Sequence, residues 1–373
     1  MADERIKHVT MPKWGLSMKT GRITEWLAEE GETVSQGADL ADIDTDKIVG
    51  TLESPEEGVL RRIVADVGAE IPVGATIALF APPDVPDAEI DAEVAAAREK
   101  LASGELEEVA GPTVATVEVD GRPLAYATLG DGEEVVVLVH GYGGDKNSWL
   151  FVQEKLAEGR TVHALDLPGH GESAKDVGDG GLDELARAVI GFLDAVGVPR
   201  AHLVGHSLGG AVVTAVAAAA PDRVRSLTLV APAGFGTEVD GEYLRVFASA
   251  ASRRELKPQL GKLFADENLA TRQLADDLLR YKRLDGVDIA LDKLVKTLLD
   301  GETQAIDAAS LLGSTSVPTV VVWGREDRVL PVANAAAVGE RAEVRYVDGA
   351  GHMVHMENPG AVRDAVEEAV RRG

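Results

Sequence analysis

A chain of 373 residues, 45% of them apolar, is longer than one hydrophobic core usually serves, so two domains are expected, and a formal charge of −26 opposes encounter with nucleic acid or an anionic membrane surface. The absence of Cys excludes a disulfide framework, a Cys-ligated zinc site and a cysteine nucleophile, so covalent chemistry must use another side chain, and no metal is expected. The start, Met1-Ala2-Asp3-Glu4-Arg5, has neither an apolar signal core nor an Arg/Ser-rich leader, and no apolar run reaches the ~20 residues of a membrane span, so a cytoplasmic protein is expected.

Residues 1–82 hold short aliphatic and β-branched segments separated by turn signals, with no helical period. Gly31-Glu-Thr-Val-Ser-Gln-Gly37-Ala-Asp-Leu-Ala41 returns as Gly68-Ala-Glu-Ile-Pro-Val-Gly74-Ala-Thr-Ile-Ala78, a displacement of 37 positions. Two copies of one β-unit predict a small quasi-symmetric barrel or sandwich in which each half covers the apolar face of the other. Between Leu40–Ile43 and Ile48–Leu52, the stretch Asp44-Thr45-Asp46-Lys47 reads as a hairpin tip that holds Lys47 in water. On composition alone this is a solvated lysine.

Residues 83–111 read as a charged, partly helical linker, with nine acidic and two basic residues from Asp84 to Ala110. Hinges are expected near Pro82–Pro86 and at Gly111-Pro112.

From residue 112 to 373 strands and helices alternate. An antiparallel pair, Thr113–Val119 and Leu124–Leu129, turns at Asp120-Gly121. Apolar runs at Glu134–His140, Thr161–Leu167, Ala201–Val204, Ser226–Val230, Thr319–Trp323 and Glu343–Val347 suit a sheet covered on both faces. Helical patterns at Leu182–Val196, Leu208–Ala220 and Ala361–Arg371 complete a mostly parallel sheet with helices on both sides. Residues 234–316 are helical and leucine-spaced, and are expected to form a cap that encloses a substrate site.

Gly205-His206-Ser207-Leu208-Gly209 follows one strand and opens a helix, the context in which Gly-x-Ser-x-Gly presents an exposed serine oxygen on a tight turn. A serine needs a base to take its proton, and the base needs a carboxylate to hold its tautomer. His352 and Asp327 follow later strands in the required order; Glu326 is a rival acid. The amides of Leu208 and of Tyr142, in the glycine-rich stretch after Glu134–His140, are candidate oxyanion donors. His170 and His206 have ordinary readings, as part of a turn and as a neighbour of the serine.

Residues 113–373, on the His-Gly loop, the turn at 165–173, the serine elbow and the Asp and His loops, resemble an α/β-hydrolase. Residues 6–80 resemble a lipoyl domain of the biotinyl/lipoyl attachment family, on Met11-Pro12-Lys13, Gly15-Leu16-Ser17-Met18, Gly21-x-Ile23, the duplicated Gly units and Asp44-Thr45-Asp46-Lys47. The fold expected is therefore multidomain: an all-β lipoyl-type barrel sandwich followed by an α/β-hydrolase with a helical cap. In this order the two parts resemble the acyltransferase (E2) components of acetoin dehydrogenase complexes. They lack the His-x-x-x-Asp-Gly motif and the small subunit-binding domain of the ordinary E2 pattern.

That resemblance implies lipoate on Lys47, attached by a lipoate ligase or lipoyl transferase, and coenzyme A as acetyl acceptor at Ser207, His352 and Asp327. It also implies a thiamine-diphosphate-dependent E1, a dihydrolipoyl dehydrogenase E3 and a homo-oligomer. Arg253, Arg254, Lys257 and Lys262 are candidates for the phosphates of coenzyme A, or simply a solvated helix face. An ester or thioester hydrolase with a fused lipoyl domain would carry the same motifs, and a docking scaffold with the arm as its only working part is the reading outside enzymology.

Overall fold

A computed structural model of the chain describes residues 5–12, 18–45, 49–55, 57–103 and 111–373. Lys47, with its neighbours 46 and 48, and the motif positions 13–17 lie outside the described residues. The chain divides into two units, Met1–Gly111 and Pro112–Gly373.

The first unit contains β1 (Lys7–Thr10), β2 (Thr20–Trp26), β3 (Thr33–Val34), β4 (Asp39–Asp44), β5 (Val49–Glu53), β6 (Gly58–Ile63), β7 (Glu70–Pro72), β8 (Thr76–Phe80) and α1 (Asp87–Ser103). Its strands form one sheet in the order β1-β8-β6-β3 and a second in the order β5-β4-β2-β7. Advancing every strand of the first sheet by four, counted cyclically over the eight strands of this unit, reproduces the second, which is the duplication expected from the repeat. The repeated glycines adopt matched left-handed conformations, φ +91° and +85° at Gly31 and Gly68, +81° and +84° at Gly37 and Gly74, so each copy needs a residue without Cβ. Gly21 makes room for the core, since a Cβ there would stand 2.6 Å from Met11 Sδ and 3.0 Å from Ile43 Cγ2.

The expected hinge at Pro82–Pro86 is not a hinge. Arg61 donates to the Pro82 carbonyl at 2.7 Å, to Val85 at 3.1 Å and to the Asp87 carboxylate at 2.8 Å, while Arg62 pairs with Asp91 at 3.1 Å. Beneath these ties Val85, Ile90 and Ala97 pack on Ile6, Val64 and Leu79. Helix α1 is thus a docked part of the first unit. Sequence reading missed this because most apolar residues of α1 are alanines and its larger ones are only Ile90, Val94 and Leu101.

The second unit opens with β9 (Thr113–Val119) and β10 (Arg122–Leu129), joined through Asp120 and Gly121 at φ +50° and +72°, a turn whose left-handed pair suits the twist of a hairpin. There follow β11 (Val135–Val139), α2 (Leu150–Leu156), β12 (Thr161–Leu165), α3 (Leu182–Ala195), β13 (Ala201–His206), α4 (Leu208–Ala219) and β14 (Val224–Val230). Four longer helices come next, α5 (Gly241–Ser249), α6 (Arg253–Gly261), α7 (Arg272–Lys282) and α8 (Val287–Leu298), then a two-residue strand pair, β15 (Leu299–Asp300) and β16 (Thr303–Gln304), and α9 (Ala308–Gly313). The chain ends with β17 (Thr319–Gly324), β18 (Glu343–Val347), α10 (Val354–Glu357) and α11 (Pro359–Arg372).

The eight-stranded sheet runs β18-β17-β14-β13-β11-β12-β10-β9, parallel from β18 to β12, with β10 and β9 antiparallel at one end. Alternation along β11 divides the core: Val137 and Val139 join α3 and α4, whereas Val136 and Leu138 join α2 and α11. Both faces are covered, so strand ends are the open positions, and β11, β13, β17 and β18 all run into loops at the same edge. The segment α5–α9 leaves after β14 and packs above that edge through Phe247, Leu291 and Leu263, as described below. Among the described residues no helix is long and apolar enough to cross a membrane.

Candidate active site

Ser207 sits between β13 and α4 at φ +51°, ψ −118°, a conformation that a non-glycine residue holds only when its surroundings enforce it. The enforcement is visible on both sides. The Ser207 N–H donates to the Val230 carbonyl at 3.0 Å, and its own carbonyl accepts from Gly210 at 2.9 Å and Ala233 at 3.0 Å. A Cβ at Gly205 would collide with the Gly209 carbonyl, one at Gly209 with the Val139 carbonyl, and one at Gly210 would stand 2.7 Å from Pro232. The flanking glycines are therefore what allow the turn to close.

Asp327 and His352, from the loops after β17 and β18, are brought together: His352 Nδ1 lies 2.8 Å from Asp327 Oδ2, with the side chains 3% and 0% exposed. The other carboxylate oxygen accepts from Val329 N at 2.9 Å and Leu330 N at 2.8 Å, which fixes its orientation. Glu326, the rival acid, is exposed. With Nδ1–H donated to Asp327, Nε2 of His352 is left as the basic nitrogen. Among the described residues no hydrogen bond joins Ser207 to His352; free enzymes often close that contact only around substrate.

The stretch after β11 abuts the serine. A Cβ on Gly141 would stand 3.0 Å from Ser207 Cβ and 2.8 Å from His206 Nδ1. The backbone N–H groups of Tyr142 and Leu208 have no acceptor among the described residues, although most buried N–H groups are paired. The Tyr142 side chain points away, its hydroxyl donating to the Leu291 carbonyl on α8 at 3.1 Å and its ring meeting Phe247 of α5 at 5.6 Å. Burial pushes that phenol well above its ordinary range.

Two buried histidines and one partly buried carboxylate hold this arrangement and were not legible as such. His170 Nε2 accepts the Gly143 N–H at 3.0 Å while its Nδ1 donates to the Pro168 carbonyl at 3.0 Å, and His140 Nε2 accepts from Leu167 N at 3.0 Å while its Nδ1 donates to Gly141 O at 2.7 Å. Each ring must be neutral to accept, and burial drives both imidazoles below their ordinary range. Glu357 accepts from Gly351 N at 2.8 Å and Ala265 N at 2.7 Å, so one carboxylate ties the His352 loop to the segment after α6. The Met353 N–H donates to Leu263 O at 3.0 Å and tightens the same contact.

The four cap cations do not act alike. Arg253 is engaged by Asp276 through two bonds of 2.8 Å, and Lys262 by Asp240 at 2.7 Å, whereas Arg254 and Lys257 are exposed with no ion-pair partner among the described residues. Arg253 and Lys262, candidates for the phosphates of coenzyme A or for a solvated helix face, are thus held by carboxylates of neighbouring elements.

Residues 134–359 match the family model for the alpha/beta hydrolase fold, and residues 7–80 that for biotin-requiring enzymes, the model of biotinyl and lipoyl domains. A solved meta-cleavage product hydrolase shares the fold of the second unit, with 22% identity, a TM-score of 0.63, and coverage of 69% of this chain and 98% of that one. Two relatives span both units. The dihydrolipoyllysine-residue acetyltransferase component of the acetoin cleaving system of Pseudomonas putida is 48% identical over 95% of each chain. Its namesake from Cupriavidus necator is 45% identical over 94% of this chain and 93% of its own. With both parts matched in one order and along almost the whole length, the chain belongs to the family of dihydrolipoyllysine-residue acetyltransferase components of acetoin cleaving systems.

Proposed function

We propose that this chain, working in the cytoplasm, moves an acetyl group from a dihydrolipoyl arm on Lys47 to coenzyme A within an acetoin-cleaving complex, and that Ser207, His352 and Asp327 carry the transfer. The observation that bears most weight is the Asp327–His352 contact of 2.8 Å at the loop edge that also presents Ser207 in its strained turn.

The first unit suits the arm. Strand β5 is an edge strand, and its pairing with β4 sets Asp44 opposite Val49, the described residues on either side of the stretch that contains Lys47. Lipoate, when bound, supplies a thiol pair that accepts and releases an acyl group. Lys47 would hold it.

The second unit supplies the chemistry. His352 Nε2 would take the Ser207 proton as Oγ adds to the acetyl carbonyl presented to it, and the N–H groups of Tyr142 and Leu208 would meet the developing oxyanion. His352 would then return the proton to the thiol that leaves, and an acetyl ester would remain on Ser207. His352 then takes the proton of the acceptor thiol, whose sulfur attacks that ester and regenerates Ser207. Asp327 keeps the imidazole in one tautomer and supports its cationic form throughout. The same ester would be lost to water if water entered freely, and the cap over His352 and Tyr142 is the part that limits entry.

A thiamine-diphosphate-dependent E1 would load the arm and a dihydrolipoyl dehydrogenase would reoxidise it; the chain itself would assemble as a homo-oligomer. Mass analysis of protein made with lipoate available tests the first step, with one added lipoyl mass on Lys47 expected and none contradicting the shuttle. Ser207→Ala tests the second: acetyl transfer to coenzyme A is lost if Ser207 is the nucleophile and persists if the hydrolase fold is only a scaffold.

A further inference from the structure

A cleft of about 510 Å³ runs along α6, lined by Arg253, Arg254, Lys257, Pro258, Gly261 and Glu267. In a chain of net charge −26 it is a locally cationic place, and the neutralising groups are already used. Arg253 is locked to Asp276, and the Glu267 carboxylate on the opposite rim is held by Arg328. The Glu255 carboxylate turns back to the backbone N–H groups of Ala251 and Ser252 at the start of the helix, 3.0 Å and 3.2 Å away. Arg254 and Lys257, one turn apart, are left facing solvent with no ion-pair partner among the described residues.

The cleft is joined to the candidate triad. Arg328 follows Asp327 directly and donates to the Gly261 carbonyl at 2.9 Å, so the acid's loop also supports the inner end of the cleft. From Gly261 the chain passes through Leu263 and Ala265, which contact Met353 and Glu357 beside His352. Arg254 lies seven residues back along α6, a rise of about 10 Å. An anion at Arg254 and Lys257 therefore stands well away from the reacting atoms, and a ligand that bridges the two must carry a long arm between its phosphates and its reactive end.

We propose that this cleft binds the phosphate groups of a phosphorylated thiol acceptor, with Arg254 and Lys257 as the cations that meet them and the acceptor's arm running along α6 toward His352. The proposal rests on the acyl-transfer reading above and adds to it the place where the acceptor is recognised. Guanidinium and ammonium suit phosphate oxygens, and two such contacts in a partly screened cleft favour a polyanion over water or a small uncharged thiol. The cleft thereby biases the acyl-enzyme toward transfer.

The test compares the full chain with Arg254→Ala/Lys257→Ala and with Arg254→Glu/Lys257→Glu, using coenzyme A, pantetheine (which has no phosphates) and ADP. Both positions are exposed, so the variants retain the fold. The KM for coenzyme A should rise about tenfold or more in the alanine variant and further in the reversed one, and the preference for coenzyme A over pantetheine should fall toward one. Inhibition by ADP should weaken in parallel. Unchanged KM and unchanged ADP inhibition would overturn the proposal. Should the unaltered protein release only acetate, it is the transfer reading that fails, and calorimetry with ADP still decides the cleft: binding that the substitutions abolish upholds a phosphate site, and no binding to the unaltered chain removes it.

Discussion

The ring of His206 and the backbone of His352 are bonded directly: Nε2 of His206 lies 3.0 Å from the His352 carbonyl oxygen, with the two rings 4.7 Å apart. Burial holds the His206 imidazole well below its ordinary range, so it is neutral and Nε2–H donates. Because Gly141 lies against the other edge of the same ring, one side chain links the loop after β11, the serine turn and the histidine loop. His206 is a positioning residue. His206→Leu, which removes the donor, should lower kcat for acetyl transfer about tenfold with little change in KM, and His206→Gln, which restores an N–H, should recover part of it. Equal loss in both variants would assign the ring a packing role only.

Asp327 holds His352 through one oxygen and two backbone N–H groups through the other. Asp327→Asn keeps the size and the N–H acceptor but presents an amide to Nδ1, which favours the wrong imidazole tautomer. A drop in kcat of about three to four orders of magnitude is expected, as the precedent of such triads suggests, with the fold intact by circular dichroism. A loss smaller than tenfold would shift the acid's role elsewhere, and Glu326→Gln in parallel would show whether it had moved there.

The serine turn, the two partner loops and the sheet were legible because each is written in a short stretch: a strand of apolar residues, a glycine where the backbone must approach, then the reactive side chain. The order of strands in the first unit was legible only as a repeat, and the matched φ values of Gly31, Gly37, Gly68 and Gly74 show why the repeat had to keep its glycines. Contacts made across long separations were not legible. Glu357 joins Gly351 and Ala265, His170 meets Gly143, and Arg61 reaches Asp87, pairings that no local pattern announces. The Arg253–Asp276 pair likewise looked like a free cation because its partner sits on another helix.

Acid should destabilise the second unit through its buried histidines before the carboxylates titrate. Burial pushes the His355 imidazole down to about 3 and that of His163 to about 4. The native state then binds fewer protons than the unfolded chain below the ordinary histidine value of 6.5, so stability falls as pH drops from 6.5, by about 1.4 kcal/mol per pH unit for each such group. Both ring nitrogens of His355 lack a partner among the described residues, so His355→Leu loses no hydrogen bond there. Urea unfolding at about pH 7 and about pH 5.5 should show a smaller decrease in the variant than in the unaltered chain; identical decreases would mean that His355 does not titrate on unfolding.

Helix α1 should move with the first unit. Ile90 is fully buried against its strands, and Ile90→Ala should cost about 2–4 kcal/mol of the docking free energy. Amide exchange in the full chain reads this: slow exchange along 90–100 in the unaltered protein, markedly faster exchange there in the variant, and little change in β4 or β8. Exchange along α1 that is already as fast as in an isolated helix would show that the helix is undocked in solution.

The central claim is that one chain carries an acetyl group on its arm and passes it through Ser207 to a thiol. The most direct measurement loads the lipoylated full-length protein with labelled acetyl on its arm, adds coenzyme A, and follows where the label goes. The account predicts acetyl-coenzyme A as the main product, with transient label on Ser207; in the Ser207→Ala variant the label stays on the arm and none appears at position 207. Label leaving mainly as acetate, at a rate that coenzyme A does not alter, would contradict it and make the second unit a hydrolase.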